Sequence, residues 1–125
     1  MDITITSRPE EDYLWIECVG RITISSDLPK RAAIVYNEIL KFDFKKVLFN
    51  QVDTIIPVGL FGYHDVVRHY ENDFPAYLKE IKIAVVSARE YDNVGAFWQT
   101  ICASKGYQFR NFNDLDKAKA WLLGD

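Results

Sequence analysis

After two opening strand-like runs, the sequence alternates between short apolar stretches and segments of helical periodicity. That alternation leaves few folds open. Residues 3–6 (ITIT) alternate with period two, residues 9–12 (PEED) turn the chain, and residues 13–20 (YLWIECVG) form a second strand-like run. Such a pair is expected to be an antiparallel hairpin. Ser25, Ser26 and Asp27 offer helix-capping side chains, and Pro29 suits a first helical turn. Ala32, Val35, Tyr36, Ile39 and Leu40 then recur at helical spacing. Residues 47–49 (VLF) are short and wholly apolar, as expected of a strand covered on both faces.

The pattern then repeats. Leu60, Tyr63, Val66, Val67 and Tyr70 mark a second helix, ending before Pro75, which disfavours helical geometry at Phe74. Residues 81–87 (IKIAVVS) are the clearest strand in the chain. Asp92 is placed to cap a helix carrying Val94, Phe97, Trp98, Ile101 and Cys102, which Gly106 ends. Residues 107–112 (YQFRNF) make a last strand. Asn113 is expected to cap a terminal helix with Leu115, Ala118, Leu122 and a closing Gly124. The expectation is a single α/β domain over 1–125, of order β-β-α-β-α-β-α-β-α. Its sheet is mostly parallel, with an antiparallel edge strand and packed helices.

A chain of 125 residues buries enough surface to fold without a metal or disulfide. Its net charge of −3 and scattered lysines and arginines give no electrostatic reason to expect nucleic acid. No apolar run approaches the ~18 residues of a membrane span, so stable membrane insertion is not expected. The N-terminus lacks the layout of a signal peptide, and Cys18 and Cys102 stand far apart outside any Cys-x-x-Cys pair. Both thiols are therefore read as reduced and buried, and the chain as cytoplasmic.

The segment between the third strand and the second helix, Asp53-Thr-Ile-Ile-Pro-Val-Gly-Leu60, sits where α/β proteins usually place function. Together with the element order, it resembles the STAS family, the sulphate-transporter and anti-sigma-factor-antagonist domains. A typical family segment runs from hydrophobics through Val to Asp-Ser-Ser-Gly-Leu, and Gly59 and Leu60 fall on its Gly-Leu pair. The second half resembles the SpoIIAA-like subgroup, often grouped with lipid-binding CRAL-TRIO domains. Residues 83–87, Ala96-Phe97-Trp98, Gly106, Phe112 and 117–122 carry that likeness.

The resemblance implies a phosphorylation switch whose acceptor serine follows an aspartate. Here Ile56 stands at the aspartate, Pro57 at the acceptor and Val58 at the second serine. Proline has no hydroxyl to receive the nearly two negative charges that phosphorylation adds. Shape and apolar contact are what remain to this turn. The resemblance therefore implies a non-enzymatic interaction module that binds a protein partner, or a second copy, through the 53–64 region. The alternative it implies is a carrier or sensor of a lipid or small apolar ligand in a pocket between helices two and three. The contact residues expected on these readings are Ile56, Pro57, Val58, Phe61, Tyr63, His64, Phe97 and Trp98.

Candidates for chemistry are weak. His64 and His69 lie five residues apart, which turns their rings about 140° from each other on a helix and separates them from the H-E-x-x-H zinc pattern. Cys18 falls within a strand and Cys102 late in a helix, whereas reactive thiolates favour helix N-termini. No catalytic residue, cofactor or metal is expected.

Overall fold

Alternation in the opening residues builds the edge of a six-stranded sheet. The computed structural model describes residues 2–57 and 75–124. Strand β1 (Asp2–Pro9) pairs antiparallel with β2 (Leu14–Arg21), in a register running from Asp2↔Arg21 to Pro9↔Leu14. The turn between them closes with the Glu10 N–H donating to the Tyr13 carbonyl at 2.9 Å. In β2, Leu14, Ile16 and Cys18 point one way and are fully buried. Trp15 and Glu17 take the opposite face and are partly covered.

Helix α1 (Asp27–Phe42) follows, then β3 (Lys46–Asn50), whose Val47, Leu48 and Phe49 are all buried as a doubly covered strand requires. A two-residue strand, β4 (Thr54–Ile55), comes next and was not anticipated. The remaining elements are β5 (Lys82–Val86), α2 (Asp92–Ser104), β6 (Gln108–Phe112) and α3 (Leu115–Leu123). Short 3-10 turns at Ala76–Glu80 and Arg89–Tyr91 precede β5 and α2. The helix expected over 60–70 lies outside the described residues.

The sheet runs β1-β2-β3-β5-β6, with β2, β3, β5 and β6 mutually parallel and β1 the antiparallel edge. β4 continues the line of β3, pairing with Gly20 and Arg21 of β2. The result is a mixed α/β domain, as the alternation predicts. One face buries Leu14, Ile16, Cys18, Val47, Phe49 and Val85 beneath α1. The other buries Leu48, Ala84 and Val86 beneath Ala118 and Leu122 of α3. Each fully buried leucine, isoleucine or valine contributes about 1.5–3 kcal/mol.

Helix ends depart in detail from the sequence reading. Ser26 occupies the N-cap of α1 without a side-chain cap bond. Backbone bonds from Asp27 N to Ile24 O and Leu28 N to Ser25 O form the entry instead. At α3 the N-cap is Asp114, whose carboxylate accepts from the Lys117 N–H at 3.0 Å. Asn113 instead donates to the Asp92 carboxylate at 2.9 Å, tying the start of α3 to the start of α2. Gly106 ends α2 with a positive φ of 89°, as expected, whereas Gly124 closes α3 without one.

Gly20 carries the tightest backbone requirement. Its φ is 130°, and a Cβ there would lie 2.1 Å from the Asp2 carbonyl oxygen. Gly20→Ala therefore combines a conformation that only glycine adopts readily with a backbone clash between β1 and β2. The expected loss is about 2 kcal/mol or more of unfolding free energy, read from the urea midpoint at unchanged m-value. A loss under about 0.5 kcal/mol contradicts the geometry.

Candidate functional site

The carboxyl ends of the parallel strands converge on one rim of the sheet, the usual location for ligand and partner sites in this architecture. β3 leaves the sheet at Asn50, whose side-chain oxygen accepts from the Val52 N–H and starts a tight turn. Thr54 N bonds back to Gln51 O, and the chain then rejoins β2 through Gly20 N to Asp53 O and Ile22 N to Ile55 O. The Thr54 hydroxyl donates to the Cys18 carbonyl at 2.7 Å. The turn is thus fastened to β2 by backbone and side chain together.

Because residues 54–57 are extended, their side chains alternate. Thr54 and Ile56 point inward, 3% and 4% exposed, while Ile55 is 49% exposed and Pro57 is also on the surface. Ile56 packs with Ile22 and Leu28, with Ile3 and Trp98 against them. Its amide donates to the Tyr91 hydroxyl at 3.0 Å. The sequence leaves open whether this apolar turn packs inward or faces solvent; the interface reading needs Ile56 exposed, and Ile56 lies inside instead. It is a core residue, and the outward isoleucine is Ile55. Period-two alternation read through 54–57 was the signal that could have found this.

Pro57 lies on the surface beside Ile55. Phe97 and Trp98 are half-buried on α2 and meet edge to face at 6.0 Å between centroids. Of the two, Trp98 reaches the Ile56 cluster. Val58, Phe61, Tyr63 and His64 lie outside the described residues, as does His69. Two more apolar residues at this end of β2 and β3 are exposed: Val52 in the same turn, 43% exposed, and Ile24 in the loop after β2, 53% exposed.

Behind this surface a row of polar side chains crosses the strand ends. Arg31 of α1 donates to the Gln51 side-chain oxygen at 2.6 Å, and the Gln51 amide donates to the Ser87 hydroxyl at 2.8 Å. Ser87 in turn donates to the Asn111 side-chain oxygen at 3.2 Å. The Asn111 backbone N–H meets the Gln99 side-chain oxygen at 3.0 Å. Gly95 makes room for this row, since a Cβ there would fall 2.2 Å from the Asn111 amide nitrogen. The Arg31 guanidinium also lies over the Phe49 ring, 5.6 Å from its centroid.

The sequence reading missed all five of these residues. Gln51, Ser87 and Asn111 each stand at or just past the apolar part of a parallel strand, and that shared position was the available signal. The row borders an apolar cavity of about 180 Å³ between α1 and α2, walled by Val35, Ile39, Phe49, Val85, Trp98 and Phe109.

The row consists of hydrogen-bonding groups and one guanidinium, with no carboxylate or imidazole to move a proton. Cys102 lies at the edge of the cavity, buried. Desolvation pushes its thiol up to about 11, with Lys105 partly opposing the shift, so the sulfur stays protonated and unreactive near neutrality. Among the described residues, no group of three His, Cys, Asp or Glu side chains could hold a metal ion. No described helix is long and apolar enough to cross a membrane.

No protein-family model matches the sequence, and no curated protein matches it. Solved structures do. A crystal structure of an anti-sigma factor antagonist from Mycobacterium paratuberculosis is similar over 96% of this chain and 93% of its own, with a TM-score of 0.61 at 12% identity. A protein of the DUF3478 family with a SpoIIAA-like fold, from Shewanella loihica PV-4, is similar over 97% of this chain and 93% of its own, with a TM-score of 0.53 at 17% identity. With the sheet order already on the page, these likenesses give the chain the fold of the STAS-like family in its SpoIIAA-like form.

Proposed function

We propose that this protein is a non-enzymatic STAS-like interaction module that binds a protein chain through the apolar surface of the 52–57 turn. The observation that carries this reading is the exposure of Val52, Ile55 and Pro57 in one short turn at the carboxyl rim of the sheet, with Ile24 also exposed in the loop after β2. Grouped exposed apolar side chains of this kind mark interaction surfaces. Ile55 is held outward by the bonds on either side of it, so the surface is pre-organised and loses little entropy on binding. The neighbour from Mycobacterium paratuberculosis is named for its action on another protein, which agrees with a module of this type. Pro57 at the acceptor position separates this turn from a phosphorylation switch, and apolar complementarity takes over recognition. The bound chain is a different protein or a second copy.

A photo-crosslinking residue at Ile55, introduced in the source cells, is expected to couple to a discrete protein band that the same residue at exposed Lys45 does not give. Excess unlabelled protein competes for the band, and the Ile55→Asp variant does not. Ile55 faces solvent, so that variant keeps its stability to within about 1 kcal/mol. Equal labelling from positions 55 and 45 contradicts the reading.

A second reading places a small apolar ligand in the cavity between α1 and α2; the pocket expected between helices two and three involves the 60–70 helix, which lies outside the described residues. At about 180 Å³ it lies below the roughly 300–1,000 Å³ of ordinary ligand pockets and nearer an apolar cavity that takes one benzene. The ligand on this reading is a single-ring or short-chain body, not a whole lipid. Native mass spectrometry of protein equilibrated with benzene-sized apolar compounds is expected to show a one-to-one adduct that Val35→Trp abolishes. An apo mass throughout excludes the reading.

A further inference from the structure

The outer edge of β1 is the longest unpaired backbone in the described structure. Among the described residues β1 lies at one end of the sheet and pairs only with β2, which leaves the outward N–H and C=O groups of alternate residues along its eight-residue length without a strand neighbour. The opposite edge, β6, is five residues long and carries Arg110 at its centre. Natural edge strands are usually shortened, bulged or protected by lysine and proline. Apart from Pro9 at its end and the charged Asp2 and Arg8 near its two ends, β1 shows none of these devices. Its sequence, Asp-Ile-Thr-Ile-Thr-Ser-Arg-Pro, is rich in β-branched residues that favour strand pairing.

We propose that a second copy of this chain pairs antiparallel with β1 about a two-fold axis through Ile5, joining two sheets into one. The register follows from symmetry. A two-fold axis perpendicular to the sheet keeps every residue on its own face, so opposed residues must share parity. Centring on Ile5 sets Asp2 opposite the partner's Arg8, Ile3 opposite the partner's Ser7 and Thr4 opposite the partner's Thr6. Each of those pairs occurs twice, and Ile5 meets its own copy. Moving the centre to Thr4 would set Asp2 opposite the partner's Thr6, and moving it to Thr6 would set Asp2 opposite the partner's Glu10. Only the Ile5 register places opposite charges together and uses the strand from residue 2 to residue 8.

The faces fit this pairing. Asp2, Thr4, Thr6 and Arg8 are exposed on one face, where they would form a ladder of charge pairs and threonine pairs. Such cross-strand pairs stabilise antiparallel strands. Arg8 already meets Glu10 and lies over the Trp15 ring, which holds the guanidinium near its strand position. A guanidinium has five N–H donors, so it can take a second carboxylate.

On the other face, Ser7 donates to Glu38 of α1 at 2.8 Å, fixing that helix over β1. Ile34, one turn earlier on the same flank, is 39% exposed. The two-fold would bring the Ile34 flanks of both α1 helices toward each other. The 52–57 surfaces would face opposite ends of the joined sheet, both free for a partner. Dimerisation through β1 is therefore independent of recognition through Ile55.

Sedimentation equilibrium of the full chain, from low micromolar to near-millimolar concentration, tests this. The expected species is a reversible dimer of twice the 14.5 kDa chain mass. Asp2→Arg or Arg8→Asp sets like charges opposite each other twice and should raise the dimer dissociation constant about tenfold or more. The double exchange, Asp2→Arg with Arg8→Asp, should return it to within about threefold of the original. Asp2→Arg leaves the Arg8 contacts with Glu10 and Trp15 intact, so it separates a pairing effect from a local one, and circular dichroism verifies that each variant is folded. A monomer at every concentration overturns the proposal. So does a dimer that ignores both single changes, or a folded double variant that does not recover.

Discussion

Strand β2 is the member on which the rest of the structure depends. Its Leu14, Ile16 and Cys18 side chains have no solvent exposure, and the strand pairs with β1 along one edge and with β3 and then β4 along the other. An apolar side chain every second residue fixes which face is covered, because a slip of one residue would turn the whole set to solvent. Once β2 is set, α1 has a surface to cover and β3 an edge to join. Gly20 then lets β1 approach where any side chain would strike the Asp2 carbonyl. The candidate surface inherits this rigidity, since the 53–55 backbone and the Thr54 hydroxyl are bonded to β2 itself.

On the reading proposed above, that anchoring would hold the turn ready for a partner without any covalent change. In a phosphorylation mechanism the turn gains charge and the partner reads the change. Here the alternation between inward Thr54 and Ile56 and outward Ile55 and Pro57 divides the segment into an anchor and a presenting surface. The inward pair holds the turn against Ile22, Leu28 and the Tyr91 hydroxyl. The outward pair offers apolar area on a fixed backbone. Polar row and apolar cavity lie behind it, and the row from Arg31 to Gln99 ties α1, the strand ends and α2 together at the same rim. A surface backed in this way changes shape little on binding, which suits recognition by complementarity.

Much of the fold was legible in the sequence because hydrophobic periodicity is set by burial, and burial is what builds this sheet. The 81–87 run, the VLF core of β3 and the apolar positions of the helix over 92–104 all fall where their spacing places them. What sequence reading missed depends on atoms brought together by the fold. β4 is two residues long and has no period of its own; it exists because Gly20 and Arg21 of β2 offer it partners. Asn113 and Asp114 are both good capping residues, and in the fold Asp114 caps α3 while Asn113 bonds to Asp92. At the candidate site, apolar composition alone leaves open whether Ile55 and Ile56 pack inward or face solvent, and the fold divides them, Ile56 in and Ile55 out. The Arg31–Gln51–Ser87–Asn111–Gln99 row joins residues from five elements or their ends, and no spacing along the chain announces it.

The central claim is that the 52–57 turn is a rigid extension of β2. Residue-resolved amide hydrogen exchange tests it most directly. The Gly20, Ile22 and Ile56 amides donate to Asp53, to Ile55 and to the Tyr91 hydroxyl. The account predicts that all three exchange as slowly as the Ile16 and Cys18 amides at the centre of β2, opening only with the whole domain. Exchange of Ile22 and Ile56 at the rates of an exposed loop, with the β2 centre still protected, would contradict it.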